Sequence, residues 1–379
     1  MTTLSVIVDP IIARHSGGVG RYAEELTREL IRVAPAGCDV RGIVSAVTSE
    51  EEERLRMLLP GLAELHKGTA SRSARELAWR LGFGSIKGKG MVHAASLLAP
   101  LSRHDRLNNE ADQVVVTVHD VVPWTHPQTL SRGRVSWHRA MTKRAHRFAD
   151  AVVVPSHAVA SQLGELLDFG DRIRVIGGAV SSKLQVPVDA DARAQRLGLP
   201  ERYLLSVGTL EPRKGLAALI QSLARPELGD IPLLIVGPEG WRGVDTAAIA
   251  AEAGLAEGRV RTLGFLADAD LAVALDRASV FVFPSIAAGF GLPVLEAFHF
   301  GTPVVHSDEP AVLEVAAGAG IAVEREDAEG YPDRLASAIG AVIADPGLAE
   351  RLHYTGLDRA GAFSWRDSAQ KVWQLHADL

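Results

Sequence analysis

One stretch of the sequence gathers charged residues that could bind an anion. "VGTLEPRKG" (207–215) brings Glu211, Arg213 and Lys214 together directly after an apolar run. Adjacent cations can clamp a diphosphate, because arginine binds it as a fork and lysine as a point charge. Positive charge at the start of a helix opposes the helix dipole, and this local conflict favours a functional role over a solvated pair. We therefore expect a diphosphate near Arg213 and Lys214.

A second stretch, "AAGFGLPVLEAFHFGTPVV" (287–305), sets glycines and a proline ahead of a single acid. Gly289 and Gly291 allow close backbone approach to a ligand, and the amides of 290–292 open a helix whose dipole favours an anion. Glu296 follows one turn later, where a carboxylate can accept hydrogen bonds from two ribose hydroxyls. The pattern predicts a bound nucleoside diphosphate.

Two stretches in the first half carry weaker signals. "HSGGVGRYAEEL" (15–26), around Gly18, fits either an anion at a helix N-terminus or a tight strand-to-helix turn. "VTVHDVVPWTHP" (116–127) ends a strand at His119, which can bond a sugar hydroxyl, shuttle a proton or simply pack. No cluster of histidines and cysteines has the spacing of a metal site, so we expect no metal.

The elements that must position these residues alternate along the chain. Apolar runs followed by helical patterns predict strands at 4–9, 114–120, 151–156, 173–178, 203–208, 232–237, 260–264, 280–285 and 302–307. Runs this apolar are typical of parallel strands that are buried on both faces. The polar stretch 181–201 reads as a linker. The expected fold is therefore α/β, with two doubly wound, Rossmann-like domains facing a cleft.

The expected domain boundaries follow from this pattern. Residues 1–185 form an N-terminal domain on the acceptor side, and residues 186–360 form a C-terminal domain that binds the nucleotide. Residues 361–379 form a terminal helix, since Ser364 is followed three residues later by Asp367.

Composition excludes several classes of protein. The 379 residues carry a net charge of −6 and one cysteine, which excludes an internal disulfide framework. No apolar stretch is long enough to span a membrane, and the start lacks a signal peptide, so we expect a cytoplasmic protein. The acidic total argues against nucleic acid as a partner. The first half is nonetheless basic, which either marks a separate anionic partner or is simple scatter.

The sequence resembles the retaining, two-domain GT-B glycosyltransferases of the GT4 type over essentially its whole length. Five blocks carry the resemblance, in family order: "GGVGRYAEEL", "VHDVVPWTHP", "VGTLEPRKGL", "GFGLPVLEAFHFGTPVV" and "FSW". The resemblance implies transfer of a hexose such as mannose or rhamnose from a nucleotide sugar, with retained anomeric configuration and no metal or other cofactor. The acceptor would be a glycan or a lipid-linked sugar in cell-surface polysaccharide or glycolipid synthesis.

The resemblance also implies roles for the site residues. Arg213 and Lys214 would neutralise the leaving diphosphate, while Glu296 would hold the ribose. Backbone of the second domain would complete the donor site, at Gly289, Phe290, Gly291, Leu292, Gly264 and Phe265. From the first domain, His119 would contact the donor sugar and Gly18 would meet the acceptor or the phosphate. The closing helix would cross back to the first domain.

The chain departs from the family at two places. Where the family usually has the first glutamate of E-x7-E, near the donor sugar's hydroxyls, this chain has Ala288. Three interpretations remain: an altered donor preference, a role transferred to Glu211, or a weakened enzyme. The second departure is "VIGGAVSS" (175–182), where the family commonly has a Pro-Asn-Gly turn.

The acceptor and two alternatives stay open. Basic stretches at 71–90 and 136–148 would suit anionic lipid headgroups and peripheral contact with the inner face of a membrane, or they are solvated helix faces. A catalytically silent nucleotide-sugar-binding subunit is one alternative, suggested by Ala288. A GT-B sugar-nucleotide epimerase is the other, distinguished by an isomerised donor.

Overall fold

The computed structural model describes residues 2–13, 17–83, 90–105, 108–109, 111–240 and 243–379. The chain divides into two compact units. The N-terminal unit contains Met1–Pro127, Arg132–Gly178 and Ser364–Leu379, and the C-terminal unit contains Gln128–Ser131 and Ala179–Phe363.

Parallel strands form the centre of the N-terminal unit. Its strands are β1 (Thr2–Ile7), β2 (Cys38–Val44), β3 (Glu64–Lys67), β4 (Met91–Ala94), β5 (Gln113–Thr117), β6 (Ala151–Val154) and β7 (Ile173–Val175). Its helices before the second unit are α1 (Gly17–Arg32), α2 (Ser49–Leu58), α3 (Arg72–Leu81), α4 (Val122–Thr125), α5 (Arg132–Phe148) and α6 (His157–Leu166). Over the described residues the strand order is β3-β2-β1-β4-β5-β6-β7. The order reverses between β1 and β4, so this is where a doubly wound sheet binds ligands.

The C-terminal unit repeats this arrangement. Its strands are β8 (Leu204–Val207), β9 (Leu233–Val236), β10 (Val260–Gly264), β11 (Val280–Phe283), β12 (Val304–Ser307) and β13 (Ile321–Val323). Its helices are α7 (Ala190–Leu197), α8 (Leu216–Ser222), α9 (Thr246–Glu252), α10 (Asp268–Asp276), α11 (Leu292–His299), α12 (Pro310–Ala316), α13 (Tyr331–Ala344) and α14 (Pro346–Gly361). The strand order, β10-β9-β8-β11-β12-β13, reverses between β8 and β11.

Alternating side chains of these strands bury both faces of the sheet. Leu204, Leu233 and Val280 pack on one face with residues of α8 and α13. On the opposite face, Leu205 and Phe281 pack with residues of α10, α11 and α12. The period of two and the near-complete burial explain why these strands read as continuous apolar runs.

The last helix, α15 (Trp365–Asp378), belongs to the N-terminal unit. The Ser364 hydroxyl accepts a hydrogen bond from the Asp367 amide at 3.3 Å and so caps the helix. The Trp373 indole N–H donates to the carbonyl of Leu30 on α1 at 3.1 Å. The expected return of the closing helix to the first domain is confirmed.

The nine strands expected from the sequence are confirmed, and so is the two-domain Rossmann-like fold class. The sequence missed β2, β3, β4 and β13. In β2 the cation Arg41 interrupts the apolar pattern. The strand accommodates it because its guanidinium donates to Ser5 Oγ on β1 at 2.8 Å.

The linker prediction at 181–201 was incomplete, because α7 lies within it. Its Arg193 bonds Asp270 on α10 at 2.7 Å, so tertiary ion pairs stabilise a weakly patterned helix.

Candidate functional site

The charged loop of the C-terminal unit follows β8, at the point where the strand order reverses. Pro212–Lys214 form a single 3-10 turn that begins after Glu211. The Nε of Arg213 donates to Glu211 Oε2 at 2.8 Å, and both side chains are largely buried. The carboxylate therefore fixes the orientation of the guanidinium and leaves its remaining N–H groups as donors.

Lys214 completes the pair of cations. Its ammonium nitrogen lies 5.3 Å from the centroid of the Phe283 ring, within the range of a cation–π contact. Phe283 ends β11, the neighbour of β8 at the reversal point. The lysine side chain therefore extends from the loop after β8 to the end of the adjacent strand. The two cations are thus held on different partners, one on a carboxylate and one on an aromatic ring.

The loops after β8 and β11 are interlocked. The carbonyl of Arg213 accepts hydrogen bonds from the Ile286 amide at 2.8 Å and from Ser285 Oγ at 3.2 Å. Gly215 has φ +68°, and a Cβ there would lie 2.0 Å from the carbonyl oxygen of Pro284. Only glycine fits this position, and the close approach fixes the two loops against each other.

The glycine-rich loop leads into α11. Gly291, at φ +107°, caps this helix without a side-chain hydrogen bond. Among the described residues, the amides of Phe290, Gly291 and Leu292 have no protein acceptor. Donors of this kind at a helix N-terminus are suited to an anion. Gly289 belongs to the same loop.

Glu296 lies in the first turns of α11 and is only 4% exposed. Gly264 ends β10 at φ +66°, and no described atom lies within 4 Å of a Cβ added there, while Phe265 beyond it is 79% exposed. These residues lie at the carboxyl edge of the same sheet, where the ribose and the base are predicted to bind.

Glycines in the loop after β9 were not predicted to be part of the site. Gly237 has φ +150°, and a Cβ there would lie 2.0 Å from the carbonyl oxygen of Gly208. A Cβ at Gly240 would lie 2.3 Å from Glu211 Cγ. The loop after β9 thus packs on the charged loop. A valine-glycine pair at the end of an apolar run was the available signal.

In the N-terminal unit, His119 follows β5 and approaches the loop after β4. Its Nε2 lies 2.8 Å from the carbonyl oxygen of Ala95, so this nitrogen carries the hydrogen and Nδ1 is left as an acceptor. The ring of Tyr22 meets the imidazole edge-to-face at 4.8 Å. Burial lowers the pKa of His119, despite the raising effect of the Ala95 bond and of the nearby Asp120. A neutral imidazole is therefore favoured at this position.

The remaining N-terminal candidates flank this histidine. Gly18 lies in the first turn of α1, the helix that also carries Tyr22. His15 and Ser16 of the glycine motif lie outside the described residues. His138 on α5 was not predicted as a site residue. Burial lowers its pKa to about 4, and it interacts electrostatically with Asp120. Its signal was a histidine within a strongly basic helix.

Basic side chains of α5 line a surface pocket of about 500 Å³. Arg132, Arg139 and Lys143 contribute the charge, and Pro127 and Val135 contribute apolar surface. Arg139 also donates twice to the carbonyl of Pro123. The pocket is compatible with an anionic or amphipathic ligand. In the basic stretch 71–90, residues 84–89 lie outside the described part.

The described residues contain no group of three histidine, cysteine or acidic side chains that could hold a metal ion. They also form no helix that is long and apolar enough to cross a membrane.

The chain matches two family models along its length. Residues 16–183 match Glycosyltransferase Family 4, and residues 188–359 match Glycosyl transferases group 1. The O-antigen chain mannosyltransferase B of Escherichia coli is 31% identical over 277 residues, which cover 69% of each chain. The chain therefore belongs to the glycosyltransferases described by these two models, Glycosyltransferase Family 4 and Glycosyl transferases group 1.

Two longer alignments extend over nearly the whole chain. The MMP alpha-(1->4)-mannosyltransferase of Mycolicibacterium hassiacum is 28% identical, with 94% of both chains covered. The structure of Anabaena HepE in complex with UDP-glucose superposes with a TM-score of 0.73 at 19% identity, over the full length of both chains. This structural likeness supports the GT-B fold.

Proposed function

We propose that the protein is a retaining hexosyltransferase that transfers mannose, rhamnose or a similar sugar from a nucleotide sugar. The observation that carries the proposal is the pair of interlocked loops at the β8/β11 reversal point. One loop presents Arg213 and Lys214, and the other presents the amides of 290–292 at the start of α11. Both features suit an anion, and a diphosphate has two phosphate groups, one for the cations and one for the amides.

The same geometry suits departure of a diphosphate. When the bond from the sugar to the diphosphate breaks, negative charge grows on the leaving oxygen, and preorganised cations lower the barrier. Glu211 holds the Arg213 fork at 2.8 Å, so the guanidinium needs little reorganisation as that charge develops. With these two cations beside the diphosphate, we expect transfer to require no metal ion.

The other site residues would bind the rest of the donor and the acceptor. Glu296 would hold the ribose, and the backbone at Gly264 and Phe265 would meet the base. His119, with Nδ1 as an acceptor, would contact a hydroxyl of the donor sugar. Gly18 lies where α1 begins and would approach the acceptor or the phosphate.

The relatives support a hexose donor and a glycan acceptor. Two of them are named mannosyltransferases, one for the O-antigen chain, and the HepE structure holds UDP-glucose. We infer a glycan or lipid-linked acceptor in cell-surface polysaccharide or glycolipid synthesis. The basic pocket on α5 supports an anionic acceptor group and peripheral contact with the inner face of a membrane.

Ala288 favours a second candidate, a subunit that binds a nucleotide sugar without transferring it. A panel of GDP-, UDP- and dTDP-sugars, measured by calorimetry and nucleotide release, separates the two. Release of the nucleoside diphosphate, with an acceptor product of unchanged anomeric configuration by NMR, supports the retaining transferase. Binding without release for every donor and acceptor supports the silent subunit, and an isomerised donor would indicate an epimerase.

A further inference from the structure

A buried carboxylate, Glu309, lies beside the position where the family usually has its missing glutamate. Glu309 directly follows β12 and Asp308, and its residue is only 6% exposed. Because β12 pairs in parallel with β11, the loop after β11 and Glu309 reach the same edge of the sheet. That loop contains Ala288.

Two groups meet the Glu309 carboxylate. Arg325 Nη1 lies 2.9 Å from Glu309 Oε2. Burial raises the pKa of the Glu309 carboxyl group, and the charge of Arg325 and an interaction with the Ala288 backbone partly offset that rise. The carboxyl group therefore lies next to the loop backbone at position 288.

Arg325 also joins this carboxylate to the charged loop. Its Nη1 donates to the carbonyl of Ile286, and the Ile286 amide donates to the carbonyl of Arg213. Its Nε bonds to Asp308 at 2.5 Å. One guanidinium thus contacts two carboxyl groups next to the glycine-rich loop.

Alanine at position 288 fits this arrangement. Its methyl group packs against the apolar core of the C-terminal unit. A glutamate at 288 would place a second carboxylate close to Glu309 in a poorly solvated site, where like charges repel. Glu211 lies in the charged loop after β8, where its carboxylate accepts a hydrogen bond from Arg213 Nε.

We propose that Glu309 is the carboxylate that determines donor-sugar specificity in this chain, supplied from the end of β12 in place of a side chain at 288. The inference rests on the proposed nucleotide-sugar site. It predicts that the acid can be moved between the two positions.

The experiment compares binding of the nucleotide sugar with binding of its nucleoside diphosphate. GDP-mannose, UDP-glucose and dTDP-rhamnose are measured against GDP, UDP and dTDP by calorimetry, which requires no turnover. For the preferred donor, Glu309→Gln should weaken sugar-nucleotide binding about 10- to 100-fold, the effect of losing a hydrogen bond to a charged group. Binding of the nucleoside diphosphate should change less than about threefold, because the phosphates lie on other residues.

The decisive variant moves the acid. Glu309→Val should lose the extra affinity for the sugar nucleotide over the nucleoside diphosphate. Ala288→Glu combined with Glu309→Val should bind the sugar nucleotide at least about tenfold more tightly than Glu309→Val alone. Ala288→Glu alone should bind the donor more weakly than wild type. Glu350→Gln is the control, since it removes an exposed carboxylate on α14 of the same unit, and its ratio of the sugar-nucleotide affinity to the nucleoside-diphosphate affinity should stay at the wild-type value.

Two results would overturn the inference. The combined variant could bind the donor no better than Glu309→Val, or Glu309→Gln could weaken the nucleoside diphosphate as much as the sugar nucleotide; either would reduce Glu309 to a brace for the loop. Thermal melting checks that each variant is folded. Failure of the proposed transfer is seen separately, as wild-type binding without nucleotide release.

Discussion

At the residue scale, the central feature is a pair of cations with separate supports. Arg213 is oriented by Glu211, whereas Lys214 lies over the ring of Phe283. A cation that is already in place stabilises charge developing in the transition state without reorganisation. The chemistry of the site is therefore expected to depend on each cation individually.

Replacement of Lys214 by alanine tests this expectation. We predict a fall in the rate of nucleotide release of roughly 100- to 1,000-fold, as for removal of one electrostatic stabiliser of a transition state. Steady-state kinetics with the preferred donor measures the change. Arg202→Ala, which removes an exposed cation of the same unit, should leave the rate unaltered. An unchanged rate in Lys214→Ala would remove that residue from the mechanism.

At the element scale, turns with special backbone geometry hold the strand-end loops together. Gly215 shows this most clearly, because it has positive φ and touches the backbone of the loop after β11. Its replacement would affect the loops that carry the cations as well as the stability of the unit.

Gly215→Ala should lower the free energy of unfolding by more than about 2 kcal/mol, since both the conformation and the contact with Pro284 become unfavourable. Gly164→Ala is the matched control. Gly164 lies within α6, and no atom of the described residues lies within 4 Å of a Cβ added there, so alanine should stabilise the protein by about 0.5–1 kcal/mol. Urea unfolding measures both changes, and equal effects at the two sites would contradict the account.

The closing helix adds a pH-dependent element. His376 on α15 meets His93 on β4, with Nε2 to Nδ1 at 3.4 Å, and its Nδ1 lies 2.9 Å from Gln113 Oε1. Burial lowers the pKa of His93 to about 4 and moves the pKa of His376 in the same direction, with His93 adding to the effect. The unfolded chain therefore binds protons that the folded chain excludes.

Stability should be fully present above about pH 6.5 and should decrease as the pH falls toward 4. His376→Gln should make this decrease shallower by up to about 1.4 kcal/mol per pH unit. Free energies of unfolding at pH 7.5 and pH 5.0 measure the slope. His66→Gln, on β3, is the control and should keep the wild-type slope; the same slope in His376→Gln would show that the pair does not couple to folding.

At the scale of the whole molecule, sequence patterns gave most of the architecture. Buried parallel strands are continuous apolar runs, so nine of them were predictable, and the glycines and cations at their ends indicated where ligands bind. Strands such as β2 were missed because the Arg41 guanidinium donates a hydrogen bond to a partner 36 residues away, Ser5. Glu309 and Arg325 were missed for the same reason: their relation to Ala288 depends on strand order, which local periodicity does not contain.

The central claim is that the protein transfers a hexose from a nucleotide sugar with retained configuration. The most direct test is to incubate it with GDP-, UDP- and dTDP-sugars and candidate glycan or lipid-linked acceptors, in the presence of a chelator. Nucleotide release is followed with time, and the new glycosidic bond is assigned by NMR. We predict one preferred donor, release that depends on the acceptor, and the same anomeric configuration in donor and product. A product of inverted configuration, or binding without release for every donor, would contradict the account.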